Sequence, residues 1–308
     1  MKFVVETWDP AYGSSVREPG VDPSSQPVEV SVECEPDEWR PIQPGPDTET
    51  PGTMTFVDGV RRIDARIWIP EPDGRSRPGV CASVAAGAVR CRPAQADITN
   101  VIVARGLYSA SDQAASITTD GGLDERYSLR KVSDDSDESL YLGVHRHMTD
   151  LEASLAVELG DEELVVFDGP LGHRNGANSV GYIKTHHVEY LPQQQLVLVA
   201  GLATGERSPL FRIGGQWPTW SWYLRLPGPV SHGFSGIVRL ELPGLGGVVE
   251  AAERADAVSS ALPRFASEGH KEPRAPQNLY PIAGLERQLR RRLGDARLLE
   301  RALRRSAA

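Results

Sequence analysis

The chain has 308 residues, 40% hydrophobic and 24% charged, enough to bury a full core without disulfides or a structural metal. Its formal net charge of −9 excludes a surface coated in basic patches. A nucleic-acid enzyme remains compatible with it, because such enzymes concentrate positive charge locally and keep acids for metal. Cys34, Cys81 and Cys91 form no CxxC pair, which excludes a disulfide framework and a zinc ribbon and points to a reducing, cytoplasmic compartment. The opening MKFVVETWDPAYG carries no secretory signal pattern, and apolar runs such as LVLVAGL at 196–202 are too short for a span, so no membrane association is expected.

Residues 1–50, rich in Pro, Glu, Asp and Ser, predict an irregular N-terminal extension with a short strand at 28–32. This arm reads either as an ordered surface extension or as a partner contact through Trp39 and Arg40. The main domain then spans 51–308. MTFVDGVRRIDARIWIP alternates from Met54, predicting a strand, a turn at Asp58-Gly59 and a second strand. Further strands are expected at 79–92 and 101–105. The acidic DDSDES at 134–139 suits a helix entry. Leu140, Val144, Met148, Leu151, Leu155 and Leu159 then recur at spacings of three and four, an amphipathic helix ending near Gly160. The run at 164–167 is a buried strand closed by Asp168-Gly169. Extended segments follow at 180–184, 196–200, 210–213, 217–226 and 236–242, with helical patterns at 248–266 and 284–305. The order implies an α/β fold, a mixed sheet flanked by helices, with no internal repeat.

TFVDG at 55–59 and VVFDG at 165–169 look alike, each an apolar strand ending in Asp-Gly. If the two strands are neighbours, Asp58 and Asp168 emerge at one sheet edge, where carboxylates repel unless a cation lies between them. Mn²⁺ or Mg²⁺ takes such oxygen ligands and can activate water against a phosphodiester. The competing reading is two ordinary turns. A third carboxylate is expected from the preceding helix, with Glu152 and Glu158 as candidates. Glu152 lies at the edge of the apolar stripe. Its alternative is a capping box in Thr149-Asp-Leu-Glu152, which requires the helix to start at Thr149.

In this order of elements the chain resembles the NurA nuclease family: VDG at 57–59, a helix glutamate, FDGPL at 167–171, GYIKT at 181–185 and NLYP at 278–281. The resemblance covers most of 54–305. It implies an RNase H-like fold, a site dependent on Mn²⁺ or Mg²⁺, a homodimer, nuclease action on DNA ends and single strands in repair or anti-phage defence, and a hexameric HerA-type ATPase as partner. It further implies Asp58, Glu152 and Asp168 as metal ligands, Lys184 at the scissile phosphate, and Tyr280 near the site. The family histidine eight residues after that tyrosine is replaced by Gln288, which cannot act as acid or base. The rival implication is a weakly active or inactive adaptor that binds and regulates a translocase.

No Walker motif occurs, so ATP hydrolysis must come from a partner. His145, His147, His173, His186 and His187 lack zinc-protease spacing and read as structural or surface residues, His173 standing closest to the FDG strand. The last helix carries eight arginines beside a leucine stripe, which suits nucleic-acid phosphates, a docking partner or a solvated face. Trp217, Trp220, Trp222 and Tyr223 could stack on bases, but their alternation favours packing.

Overall fold

The computed structural model describes residues 26–119, 124–159, 163–174, 176–186, 188–230 and 233–306. The first half of the N-terminal extension, Gly160 and His187 lie outside them. In chain order the elements are β1 (Val28–Glu29), β2 (Met54–Pro70), β3 (Ser76–Arg92), β4 (Gln95–Ser109), β5 (Ile117–Thr118), β6 (Arg126–Lys131), α1 (Asp137–Leu159), β7 (Leu164–Asp168), β8 (Ser179–Ile183), α2 (Gln193–Ala200), β9 (Phe211–Ile213), β10 (Thr219–Arg225), β11 (Ile237–Pro243), α3 (Val248–Ala261), α4 (Tyr280–Arg292) and α5 (Ala296–Ser306). The fold is mixed α/β, with a large mixed sheet flanked by helices, as the sequence order implies. The chain forms two compact units. One holds the described residues up to Phe56, Arg90–Ala96 and Leu159–Ala283; the other holds Val57–Val89, Asp97–Glu158 and the described residues from Gly284.

In the second unit the strands run β2-β3-β4-β6-β5. The β4–β6 pair is parallel and β5–β6 antiparallel. The long apolar run of β3 is buried on both faces, as a central strand covered by two helical layers must be. Its even positions Val80, Ala82 and Val84 pack with Leu140, Val144 and Met148 of α1. On the odd positions, Cys81 joins Leu303 of α5, and Gly87 lies against Leu285 and Leu289 of α4. The apolar stripe of α1 is as expected. Its start is set by Ser136, whose Oγ accepts from the Ser139 N–H at 3.2 Å.

In the first unit the order is β1-β9-β10-β11-β8-β7, antiparallel except for the parallel β7–β8 pair. Every residue of β10 and β11 is buried. Trp222 donates from Nε1 to Ser259 of α3 at 2.9 Å, and Tyr223 joins Val199 of α2 and Trp39 in one apolar cluster. The aromatics of this strand are therefore core, while Trp217 before it is exposed. Trp39 belongs to the core too. The described part of the extension is pinned by the buried Arg207, which pairs with Glu33 at 2.8 Å and Asp256 at 2.5 Å.

Four local expectations change. Asp58-Gly59 is no turn: β2 runs straight through it, because the glycine serves a helix contact described below. Residues 196–200 are helical. Pro192 stands at the start of α2, three glutamines supply good helix formers, and Val197 is 64% exposed, so the run needs only one buried face. The helix expected over 284–305 is two. Gly294, at φ +80, ends the first, and Asp295 starts the second by accepting from the N–H groups of Arg297 and Leu298 at 2.8 and 3.1 Å. The short strand at 101–105 is the middle of the longer β4, and β6 lacked any clear alternation in the sequence.

Candidate functional site

Asp168 is the last residue of β7, and the strand stops there for a backbone reason. Gly169 adopts φ +111, a region open to glycine, and Pro170 follows. The chain beyond is tied down by Glu241 of β11, whose Oε2 accepts from the Leu171 N–H at 3.0 Å. Glu241 is itself buried with Arg239, Nη1 to Oε1 being 2.5 Å. Arg239 lies over the Tyr190 ring at 4.5 Å.

Parallel pairing sets Asp168 opposite Tyr182, so Lys184 projects just beyond the end of β8. Its Nζ donates to Asp168 Oδ2 at 2.6 Å and to Asn278 Oδ1 at 3.0 Å. Asn278 is fully buried. An ammonium can only donate, so the amide oxygen must face Lys184. That leaves Asn278 Nδ2 inside, without a hydrogen-bond partner among the described residues. The neighbouring Gln277 completes the seat. Its carbonyl accepts from the Tyr182 hydroxyl at 2.6 Å, and its amide donates to the Ile237 carbonyl at 3.1 Å. Burial, and then the charge of Asp168, hold the Tyr182 hydroxyl protonated well above its ordinary range.

Asp58 lies inside β2, 7% exposed, and accepts from the Gly59 N–H at 2.7 Å. A Cβ on Gly59 would lie 2.5 Å from Glu152 Oε1 and 2.6 Å from Met148 Cγ. Helix α1 thus presses onto residue 59, and the Glu152 carboxylate, 1% exposed, is seated against the backbone one residue from Asp58. The capping-box alternative is removed: α1 begins at Asp137, and Thr149, inside it, donates back to the Arg146 carbonyl at 2.9 Å. Glu158, the other candidate, accepts from Asn100 at an exposed edge.

Two groupings therefore emerge, Asp168 with Lys184 in one unit and Glu152 beside Asp58 in the other. Tyr280 is turned elsewhere. Its hydroxyl donates to Glu268 at 3.1 Å, with Lys271 5.5 Å above the ring. The residue of NLYP that meets Lys184 is Asn278, which sequence reasoning passed over although it lies inside that motif. Gln288 lines an open groove of about 500 Å³ with Ile98, Thr99, Asn100, Val101 and Arg292. The histidines are structural where their contacts are plain. His147 meets the Tyr108 hydroxyl at 2.6 Å and has its pKa lowered to about 4, chiefly by burial. His145 meets Arg61, and His186 the Ile237 carbonyl. Among the described residues no three His, Cys, Asp or Glu are grouped to hold a metal. A pair of carboxylates still suits Mg²⁺, which is commonly held by one or two carboxylates together with waters and substrate phosphate.

No protein-family model matches the chain, and no curated protein matches it. Among solved structures it is similar to the NurA nuclease from Sulfolobus solfataricus, at 13% identity and a TM-score of 0.46, over 83% of this chain and 84% of that one. It is also similar to endonuclease V from Bacillus subtilis, at 12% identity and a TM-score of 0.33, over 82% and 83%. Likenesses this remote leave the chain's activity to be argued from its own residues.

Proposed function

We propose that the protein is a divalent-metal-dependent DNA nuclease of RNase H-like fold, with Asp58 and Glu152 as a carboxylate pair for Mn²⁺ or Mg²⁺ and with Asp168, the third acid expected from the sequence, beside the Lys184 ammonium. The observation that carries this reading is the seat of Glu152. A helix glutamate is buried beside a strand aspartate, and a glycine between them makes room for its carboxylate. Carboxylate oxygens brought together in this way are the ligand type that Mg²⁺ and Mn²⁺ take, alongside waters and substrate phosphate. Bound metal would supply a water of lowered pKa and a polarised phosphoryl oxygen.

The chain's own groups do the rest. Lys184 brings a positive charge toward a phosphate, and its bonds to Asp168 and Asn278 fix that charge in advance, so little reorganisation is needed during reaction. Glu241 holds the turn after Asp168 through the Leu171 N–H. The same reading includes a homodimer and a hexameric HerA-type ATPase as the source of translocation.

Titration calorimetry with Mn²⁺ tests the reading. The wild type binds, and Glu152→Gln binds at least tenfold more weakly. Absence of Mn²⁺ affinity in the wild type would overturn it in favour of the non-catalytic adaptor. Among the described residues no helix is long and apolar enough to cross a membrane.

A further inference from the structure

Residues 285–306 contain eight arginines and three acids in a chain whose net charge is −9. Positive charge is therefore concentrated on α4 and α5. All eight arginines are exposed. Arg290 and Arg304 pair with Glu286 and Glu300 within their own helices. Among the described residues Arg287, Arg291, Arg292, Arg297, Arg301 and Arg305 have no ion-pair partner. Like charges gathered this densely repel, and without a partner they destabilise the surface that carries them.

The helices are held firmly. Leu285, Leu289, Leu293, Leu299 and Leu303 are buried. The junction between the helices is fixed by Arg62, which donates to the Gly294 carbonyl at 2.7 Å, and by Arg105, which donates to the Leu293 carbonyl at 3.2 Å. The arginines therefore stand on a rigid support. Spacing orders them further: 287 and 291 share one face of α4, and 297, 301 and 305 share one face of α5.

We infer that this arginine face binds the phosphodiester backbone of a nucleic-acid strand. Guanidinium forks match phosphate oxygens in geometry and charge. An anionic membrane fits less well. A helix lying in a lipid interface needs its apolar face free to insert, and here that stripe is buried in the fold, with Leu298 its one large exposed apolar side chain at 45%. The groove beside Arg292 adds recognition of another kind. Gln288, Thr99 and Asn100 offer polar groups, and Ile98, 44% exposed, offers an apolar contact, in a space of about 500 Å³. Gln288 would then serve a bound strand rather than proton transfer. This inference rests on the nuclease reading for its biological sense but not for its test.

The test uses full-length protein in EDTA, so that binding is read without cleavage, and a fluorescent 30-nucleotide oligothymidylate as probe. The quadruple variant Arg287→Gln, Arg291→Gln, Arg297→Gln, Arg301→Gln should melt no lower than the wild type and bind at least 30-fold more weakly near 0.1 M salt. Its slope of log affinity against log salt should be shallower by roughly 0.7 for each phosphate no longer neutralised. Wild-type affinity and slope in the variant would overturn the inference. So would equal competition by polyglutamate of matched charge, or binding to phosphatidylserine vesicles in place of DNA. If the oligonucleotide binds through these arginines but no metal-dependent cleavage is found, the nuclease reading falls and this one stands.

Discussion

The two Asp-Gly segments, nearly identical in sequence, use their glycines for opposite purposes. At 168–169 the glycine is a matter of backbone: φ +111 ends β7 and releases Asp168 at the strand terminus. At 58–59 it is a matter of space: β2 continues, and the missing Cβ admits Glu152 and Met148 of α1. One aspartate is presented by a turn, the other by the approach of a helix. The same dipeptide thus tells little until its long-range neighbours are known.

The largest effect that sharpens this contrast is expected at Glu241, which holds the turn and pairs with the buried Arg239. Glu241→Ala strips the Leu171 N–H of its acceptor and leaves Arg239 buried and unpaired, a loss of about 3–5 kcal/mol. Glu241→Gln keeps an acceptor and should lose less. Urea denaturation reads both, and equal losses would show that the retained acceptor contributes nothing beside the lost charge pair.

Gly59→Ala and Gly169→Ala should each cost about 1–3 kcal/mol, by overpacking in the first case and backbone strain in the second. The causes separate in double variants. Met148→Ala should relieve Gly59→Ala, because the collision is with a side chain. Arg174→Ala should leave Gly169→Ala unrelieved, although Arg174 Nη2 is the atom nearest the added Cβ at 3.6 Å. Simple additivity at Gly59 would break the comparison.

Acid should weaken the helix side through His147, next to Met148 on α1. Its folded pKa of about 4 lies below the unfolded value near 6.5, so its contribution is complete above pH 6.5 and is lost as pH falls towards 4. At pH 5 the loss is about 2 kcal/mol. Melting of wild type and His147→Gln between pH 7.5 and 5 should show that much more pH dependence in the wild type; parallel curves would contradict it.

The smallest effect is expected at Asn278. Its Nδ2 is already without a partner among the described residues, so Asn278→Ala removes one bond to Lys184, about 1 kcal/mol of stability. Its influence on turnover should exceed its influence on melting, because the freed ammonium must be reordered at each reaction. A variant with unchanged turnover would remove Asn278 from the positioning of Lys184.

Much of the architecture was legible. The three-and-four stripe of α1, the doubly buried run of β3 and the end of β7 all follow from local pattern, because burial imposes the period. The misreadings have different origins. The turn expected at Asp58 gave way to a contact with α1, far along the chain. The extended segment expected at 196–200 is a helix because one buried face is enough for it. Of the site, the resemblance implies Lys184 only at the scissile phosphate, and its ion pair with Asp168 is a finding of the fold. Asn278 was missed because nothing near it in sequence reports the lysine it holds.

The most direct measurement is Mn²⁺-dependent cleavage of end-labelled single-stranded DNA by the wild type, Asp58→Asn, Glu152→Gln and Asp168→Asn, each checked for an unchanged fold. The account predicts cleavage by the wild type and a loss of roughly 100-fold or more in every variant. Wild-type cleavage by any one of the three, or no cleavage by the wild type, would contradict it.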